Sequence, residues 1–466
     1  MSKSNKLKIA FIGAGSSSFC PLTVTDILLS DKLNQLKLEL CLMDISEENM
    51  AFNEAYARKT AGTLGRNTVI TATTSLEKAL EGADFVVTAI DVRRNYYWSM
   101  DFHIPRKYGS RQIFGENGGP GSMFHTLRNM GPLVEIAKTM ERLCPDALMI
   151  NYSNPEAKLV EAVSRLTKIK VIGLCHGINM GIHQLSMFLG IPEEDLETKA
   201  CGLNHFGWFQ EIRHKKTGED LYPLLRERER QARKLALWDE LALSRTAFRI
   251  YGLYPYPGAN HIGEYISWAE DFFAGRLVQF YYDPLVEDPW KMGEIPEFIY
   301  SLSSPSHSEL ILEPLFPEPE PEGTPSWRDR MMNLTAEEMK PSHEAGVPIM
   351  EAITFNIRTP LKAVNVQNKG MIPGIQDDMV VELPAYVDGT GIHPEKMNPL
   401  PDVITEMIRI QGTIHKLLVE AYTEKSRRKL LQALLIDPNG TSYKNSIELI
   451  NEMCEKQKDA LPEMYW

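Results

Sequence analysis

The chain has 466 residues, 43% hydrophobic and 24% charged, with a net charge of −12. Such a length implies two or more domains with substantial cores, and such a composition is that of an ordinary soluble globular protein. The acidic balance excludes a basic nucleic-acid footprint, no apolar run of about 18 residues is present to span a membrane, and six scattered cysteines without a CxxC pair exclude a disulfide framework.

The N-terminus, MSKSNKLKIAFIG, runs directly into an apolar strand without the hydrophobic region of a signal peptide. Together with the cysteine usage this predicts a reducing, cytoplasmic location. Short runs rich in Val, Ile and Leu follow at 7–13 (LKIAFIG), 38–44 (LELCLMD), 69–73 (VITAT), 85–90 (FVVTAI), 148–153 (LMINYS) and 170–175 (KVIGLC). They are too short for helices and too continuously apolar for a half-exposed sheet, so they read as buried parallel strands. Helical stretches between them predict a Rossmann-type doubly wound α/β domain over residues 1–175. Beyond it the rhythm changes. Residues 195–211 and 364–387 read as strand-rich, and 221–248 and 405–454 as mostly helical. The Pro/Glu-rich stretch 303–327 reads as an exposed loop. Residues 176–466 therefore form a mixed α/β domain, with the substrate site expected between the halves.

Gly13-Ala14-Gly15 closes the first strand ahead of a predicted helix at 21–30. Gly13 suits the tight turn and Gly15 the close approach of a pyrophosphate, with Ser16 following; Ser18 stands where the full fingerprint has its third glycine. Asp44 ends the second strand, where a carboxylate accepts hydrogen bonds from a ribose diol and repels a 2′-phosphate, so NAD is favoured over NADP.

Ligands of open parallel sheets bind beyond the carboxyl ends of the strands. Two such ends carry polar chemistry, Asn151-Tyr152-Ser153-Asn154-Pro155 and Cys175-His176-Gly177-Ile178, and a third segment, CGLNHFGW at 201–208, follows. Cys175 and His205 have the softness of metal ligands that leave positions open for substrate oxygens. From spacing alone, a pair 30 residues apart is a poor metal signal and reads more readily as a buried small hydrophobe and a hydrogen-bonded core histidine.

FIGAGS (11–16), LMDI (42–45), GENGGPG (115–121), NYSNP (151–155), CHGI (175–178), GLNHFGW (202–208), ANHIGEY (259–265) and VVELPAYVDGTGIHPEK (380–396), in this order and spacing, resemble glycoside hydrolase family 4 over nearly the whole chain. The resemblance implies an architecture like that of lactate and malate dehydrogenases, a bound NAD and a divalent metal, typically Mn2+. It also implies glycoside cleavage by transient oxidation at C3, deprotonation at C2, elimination at C1 and water addition, without the usual carboxylate pair. Cys175 and His205 match the metal ligands, and Asn154, supported by Asn151, a contact to sugar hydroxyls. Asn204, in the motif that holds His205, and His261, beside Glu264, are expected in the substrate wall, and Glu116 matches an acidic position near substrate and cofactor. His176 follows the metal cysteine and is a candidate general acid or a hydrogen-bonding group. The base falls in FRIYGLYPYP (248–257), with Tyr251 the choice. Trp98 stands where phospho-glycosidase members carry an arginine. With His176 this implies an unphosphorylated α-galactoside, α-glucoside or α-hexuronide. Arg93 and Arg94 depart from the family pattern and suit either a uronate carboxylate or a cofactor-phosphate and surface role. Relatives imply a homodimer or homotetramer. The rival readings are a 2-hydroxy acid or sugar dehydrogenase, whose hydride leaves with the cofactor, and a non-catalytic NAD-binding protein.

Overall fold

The computed structural model describes residues 5–231, 241–272, 279–280, 298–299 and 326–466. Its strands are β1 (Lys6–Ile12), β2 (Lys37–Met43), β3 (Val69–Thr73), β4 (Phe85–Thr88), β5 (Leu148–Asn151), β6 (Lys170–Gly173), β7 (Leu196–Leu203), β8 (Phe206–His214), β9 (Pro255–Tyr256), β10 (Gln279–Phe280), β11 (Phe298–Ile299), β12 (Thr359–Gln367), β13 (Val380–Asp388) and β14 (Gly391–Pro394). Twelve of them form one sheet, in the order β3-β2-β1-β4-β5-β6-β12-β13-β7-β8-β9, with β14 beside β13. The first six run parallel in the dinucleotide-fold order 3-2-1-4-5-6. From β6 onward every pairing is antiparallel.

The apolar runs become strands because both sheet faces are covered. On β1, Ile9 and Phe11 enter one core while Ala10 and Ile12 enter the other. The first core is roofed by the helices Phe19–Leu29, Glu47–Thr63 and Gly346–Phe355, the last from the C-terminal half. Glu351 on that helix takes Ser30 Oγ at 2.6 Å and Lys32 Nζ at 2.7 Å. The second core is built on the long helix Gly119–Leu143 and the three C-terminal helices Asp402–Thr423, Arg427–Ile436 and Tyr443–Lys456. Here Arg128 is fully buried, with Nη2 2.7 Å from Asp101 Oδ2 and Nη1 2.7 Å from Gln457 Oε1, while Gln457 Nε2 donates to Asp101 Oδ1 at 2.8 Å.

Of the region expected to be helical at 221–248, Tyr222–Gln231 and the start of Ala242–Tyr251 are helix, while 232–240 lie outside the described residues. The expected Pro/Glu-rich loop lies outside them up to residue 325. All six cysteines are free, and among the described residues no helix is long and apolar enough to cross a membrane.

Candidate active site

The turn after β1 leaves no room for side chains. Gly13 has φ +93°, and a Cβ there would lie 2.3 Å from the Ala89 carbonyl oxygen. A Cβ on Gly15 would meet Asp44 Oδ2 at 2.9 Å. Asp44 fastens the turn, accepting from Gly15 N at 2.7 Å through Oδ2 and from Ser46 N at 3.0 Å through Oδ1. Asn53 Nδ2 donates to the carbonyls of Ala14 (2.6 Å) and Ser16 (2.9 Å) from below. The carboxylate, with four lone-pair sites, still has acceptor capacity toward a diol.

Three strand spacings along the same edge, roughly 14 Å, Cys175 follows β6. Its Sγ lies 3.5 Å from His205 Nε2 and receives Gly177 N–H at 3.4 Å. Asn204 and His205 form the two-residue loop of the hairpin that pairs Leu203 with Phe206. The second loop position has φ +116°, where glycine is usual and a histidine costs about 1–3 kcal/mol. A strained residue is retained when its side chain is needed. Burial, then the neighbouring His261, hold the His205 imidazole far below its usual pKa, so it is neutral with a lone pair to donate. Its Nδ1 is buried without a partner. Burial, then the Glu382 charge, push the Cys175 thiol up. A sulfur and a neutral ring nitrogen 3.5 Å apart are spaced as two ligands of one ion, since bonds of about 2.3 and 2.1 Å at a tetrahedral angle give about 3.6 Å.

Behind this pair stands a buried polar layer contributed by the antiparallel strands. Glu382 Oε2 on β13 accepts Asn204 Nδ2 at 2.9 Å and Asn365 Nδ2 at 3.0 Å, and Asn204 in turn hydrogen-bonds Cys175. Glu156 opens the helix after β5, fully buried and without a hydrogen-bond partner. Burial, then Glu382, raise its carboxyl well above the usual range, favouring the neutral form. Gly173 is glycine because a Cβ there would fall 1.1 Å from Glu156 Oε1.

The remaining wall comes from the loop before the long helix. Glu116 Oε1 takes Arg94 Nη2 at 2.5 Å, and Arg94 Nη1 reaches Asp91 Oδ2 at 3.3 Å. Burial alone would raise the Asp91 carboxyl; His125, Arg94 and Arg128 outweigh it and hold it at about 2. Glu264 accepts backbone N–H from Glu116 (2.7 Å) and Asn117 (3.1 Å), and burial, then Glu116, raise its carboxyl. Lys158 lies beneath, lowered by burial, donating to the Asn117 carbonyl and to Ser122 Oγ at 3.2 Å.

A family model described as Family 4 glycosyl hydrolase matches residues 8–189, and one described as Family 4 glycosyl hydrolase C-terminal domain matches residues 200–440. The chain belongs to glycosyl hydrolase family 4. An alpha-glucosidase of Erwinia rhapontici is 30% identical over 459 residues, 97% of this chain and 98% of that one. An alpha-galactosidase of Bacillus subtilis is 30% identical over 461 residues, 98% of this chain and 99% of that one. Among solved structures, a 6-phospho-alpha-glucosidase from gut microorganisms, in complex with NAD and Mn2+, superposes with a TM-score of 0.74 at 23% identity, over 99% of this chain and 100% of that one; this likeness shows the fold.

Within this family 4 frame, Cys175, His205, Asn204 and His261 gather at one place, the His205 and His261 rings 4.6 Å apart. Glu116 borders it through Glu264 and His261. Gly13, Ala14, Gly15, Ser16 and Asp44 form the one turn described above. His176 is exposed at the start of the helix Gly177–Leu189, its Nδ1 3.5 Å from Glu344 Oε1, and that hydrogen bond raises its pKa. Tyr251 packs edge-on against Trp208, ring centroids 5.7 Å apart. Burial raises its pKa, while a hydrogen bond with Trp268 favours the phenolate. Two further residues are placed by their contacts. Arg93, with φ +44°, turns its guanidinium over the Tyr96 ring at 4.3 Å; Arg94 is the arginine that meets Glu116. The Asn151 amide is used internally by Thr88 Oγ1 (2.9 Å), Ser153 N (3.1 Å) and the Ser153 carbonyl (3.0 Å), within the loop that carries Asn154. Sequence reading missed Glu156, Lys158 and Glu382, since an isolated charged residue normally signals surface. Gly173 ending a strand was the available signal for Glu156.

Proposed function

We propose that the chain hydrolyses an unphosphorylated hexopyranoside, an α-galactoside, α-glucoside or α-hexuronide, with NAD and Mn2+ or a similar divalent ion as resident cofactors. Residues 1–175 present the dinucleotide and 176–466 the sugar, in a cytoplasmic homodimer or homotetramer. The observation that carries this reading is the 3.5 Å approach of Cys175 Sγ to His205 Nε2 at the carboxyl edge that also bears the Gly13–Gly15 turn. When bound, NAD supplies reversible hydride acceptance and the ion supplies Lewis acidity toward sugar oxygens.

The chain's own groups do the rest. Cys175 and His205 hold the ion, Asp44 accepts the ribose diol, and Asn154 positions sugar hydroxyls. Tyr251 takes the C2 proton, its oxygen assisted by Trp268, and His176, whose protonated form the hydrogen bond to Glu344 favours, donates to the departing oxygen. Arg94 is already matched by Asp91 and Glu116, so this wall offers little cationic surplus for a 6-phosphate or uronate, and a neutral hexoside is favoured.

A panel of aryl α-galactoside, α-glucoside, α-glucuronide, α-galacturonide and 6-phospho-glucoside, assayed with NAD, Mn2+ and reductant, tests the reading. Neutral α-hexosides are expected to release the aryl group without net NADH. Stoichiometric NADH, or cleavage confined to the phosphorylated sugar, would refute it. Tyr251→Phe is expected to reduce kcat about 10²–10⁴-fold, the range for losing a general base, with NAD affinity unchanged; an undiminished kcat removes Tyr251 from this role. Asp44→Ala is expected to weaken NAD about 10- to 100-fold, as loss of a charged hydrogen bond worth about 1.5–3 kcal/mol requires. Fluorescence titration of NAD reads this, and an unchanged Kd would refute the ribose contact.

A further inference from the structure

The long helix Gly119–Leu143 carries two buried polar side chains that the proposed chemistry does not use, His125 and Asn129. They stand four residues apart, one helical turn, and so share a face. Both polar atoms of the Asn129 side chain are engaged. Its Oδ1 accepts Val92 N–H at 2.9 Å, and its Nδ2 donates to Asp91 Oδ1 at 3.1 Å and to the Asn154 carbonyl at 3.3 Å. The His125 ring places Nδ1 3.1 Å from the Glu116 carbonyl and Nε2 3.2 Å from Asp91 Oδ2. A main-chain carbonyl only accepts, so Nδ1 donates to Glu116. The Asp91 carboxylate, which Arg94 and Arg128 also help to keep ionised, only accepts as well, so Nε2 donates to it.

These contacts gather three loops. Residues 90–94 follow β4 and carry Asp91 and Arg94, residues 152–155 follow β5 and carry Asn154, and residues 115–118 precede the long helix and carry Glu116. Ile90 N donates to Ser153 Oγ at 2.8 Å, which ties the first two loops to each other. Loops depend on a rigid scaffold for their placement, and here one helix face reaches all three. Packing alone would be met by apolar side chains, as it is by Met123, Leu127 and Met130 on the same helix.

We propose that His125 and Asn129 are positioning residues, which hold the loops of Asp91, Glu116 and Asn154 in register with one another. The inference rests on the reading that these loops frame the sugar, and extends it to the helix behind them. Neither residue touches the reacting atoms; each acts through the backbone and the carboxylate it fixes. A misplacement of about 1 Å from a change far from the chemistry costs about 10²-fold in rate, so loosening one loop is enough to be felt.

Hydrogen exchange of the full chain, with turnover of the glycoside panel, tests this. In the wild type the Val92 amide is expected to exchange slowly, because Asn129 accepts it; fast exchange overturns the proposal, and this measurement needs no variant. Asn129→Leu keeps the volume and removes all three bonds of the side chain. Exchange across 90–94 and 152–155 is then expected to rise at least about tenfold, equivalent to about 1.4 kcal/mol, with the Gly13–Ser16 turn unchanged. His125→Gln removes the two-ended bridge, and the same rise is expected across 115–118. Thermal melting reports whether each variant folds. A rise spread evenly over the chain would show a merely structural role and overturn the proposal, as would unchanged exchange in both folded variants. The kcat of Asn129→Leu is expected to fall about 10²-fold with NAD affinity unchanged, and an undiminished kcat also overturns it. A wild type that cleaves no glycoside refutes the functional reading instead, and the exchange pattern then decides by itself whether this helix face sets the loops.

Discussion

Cys175→Ser is expected to lower turnover at least about a hundredfold, the upper end of what losing even an outer partner of a metal ligand costs, while leaving NAD affinity near normal. The sulfur sits at the end of β6 with Gly177 N–H directed at it and Asn204 beside it, so its position is fixed by backbone that a serine does not disturb. What changes is the donor: a serine hydroxyl is harder, shorter in reach and far less acidic than a thiol. The dinucleotide turn lies three strands away and keeps its own contacts. Steady-state turnover with Mn2+ and calorimetric titration of NAD read the two quantities separately. Full activity of the serine variant in the presence of a chelator would end the metal reading.

Arg128→Met is expected to destabilise the fold by about 3–5 kcal/mol, the usual consequence of removing one partner from a fully buried ion pair. Both Arg128 and Asp101 have side chains with no solvent exposure, and Gln457 is bonded to each. Methionine restores much of the volume and none of the charge, so the buried Asp101 carboxylate is left facing one amide. Because Gln457 caps the end of the last long helix, the loss is shared between the dinucleotide half and the C-terminal helices. Chemical unfolding followed by circular dichroism measures it; a shift under 1 kcal/mol would show that water or repacking replaces the arginine.

The parallel half of the fold was legible because its inner strands, such as β1, β4 and β5, are buried along almost their whole length and read as apolar runs; 38–44 is offset from β2 by one residue at each end, and 69–73 matches the edge strand β3, of which Ile70 alone is buried. The glycine turn and the carboxylate ending β2 were legible because each is a local signal at a strand end, whereas the hydrogen bond from Gly15 N to Asp44, which joins the two, was not. The antiparallel half was only partly so. Its register depends on long-range pairings such as Asn365 with Gly173, which no local pattern records. Glu382 could not be found from sequence, because its surroundings are Asn204 and Asn365, 178 and 17 residues away. The Arg93–Arg94 choice turned on one backbone angle: with Arg93 at φ +44°, the helix begins at Arg94 and only the second arginine faces Glu116.

The continuous sheet bears on any attempt to divide the molecule. Cutting after residue 175 would strip β12 from β6 and remove the pairing of Gly173 with Asn365 that joins the two halves of the sheet. It would also uncover the apolar roof where the helix Gly346–Phe355 rests on the dinucleotide half. Such a fragment carries every residue of the glycine turn, yet its raw border invites edge-to-edge aggregation. The portion that carries the glycine turn therefore depends, for cover of one apolar face, on a helix contributed from far downstream in the chain.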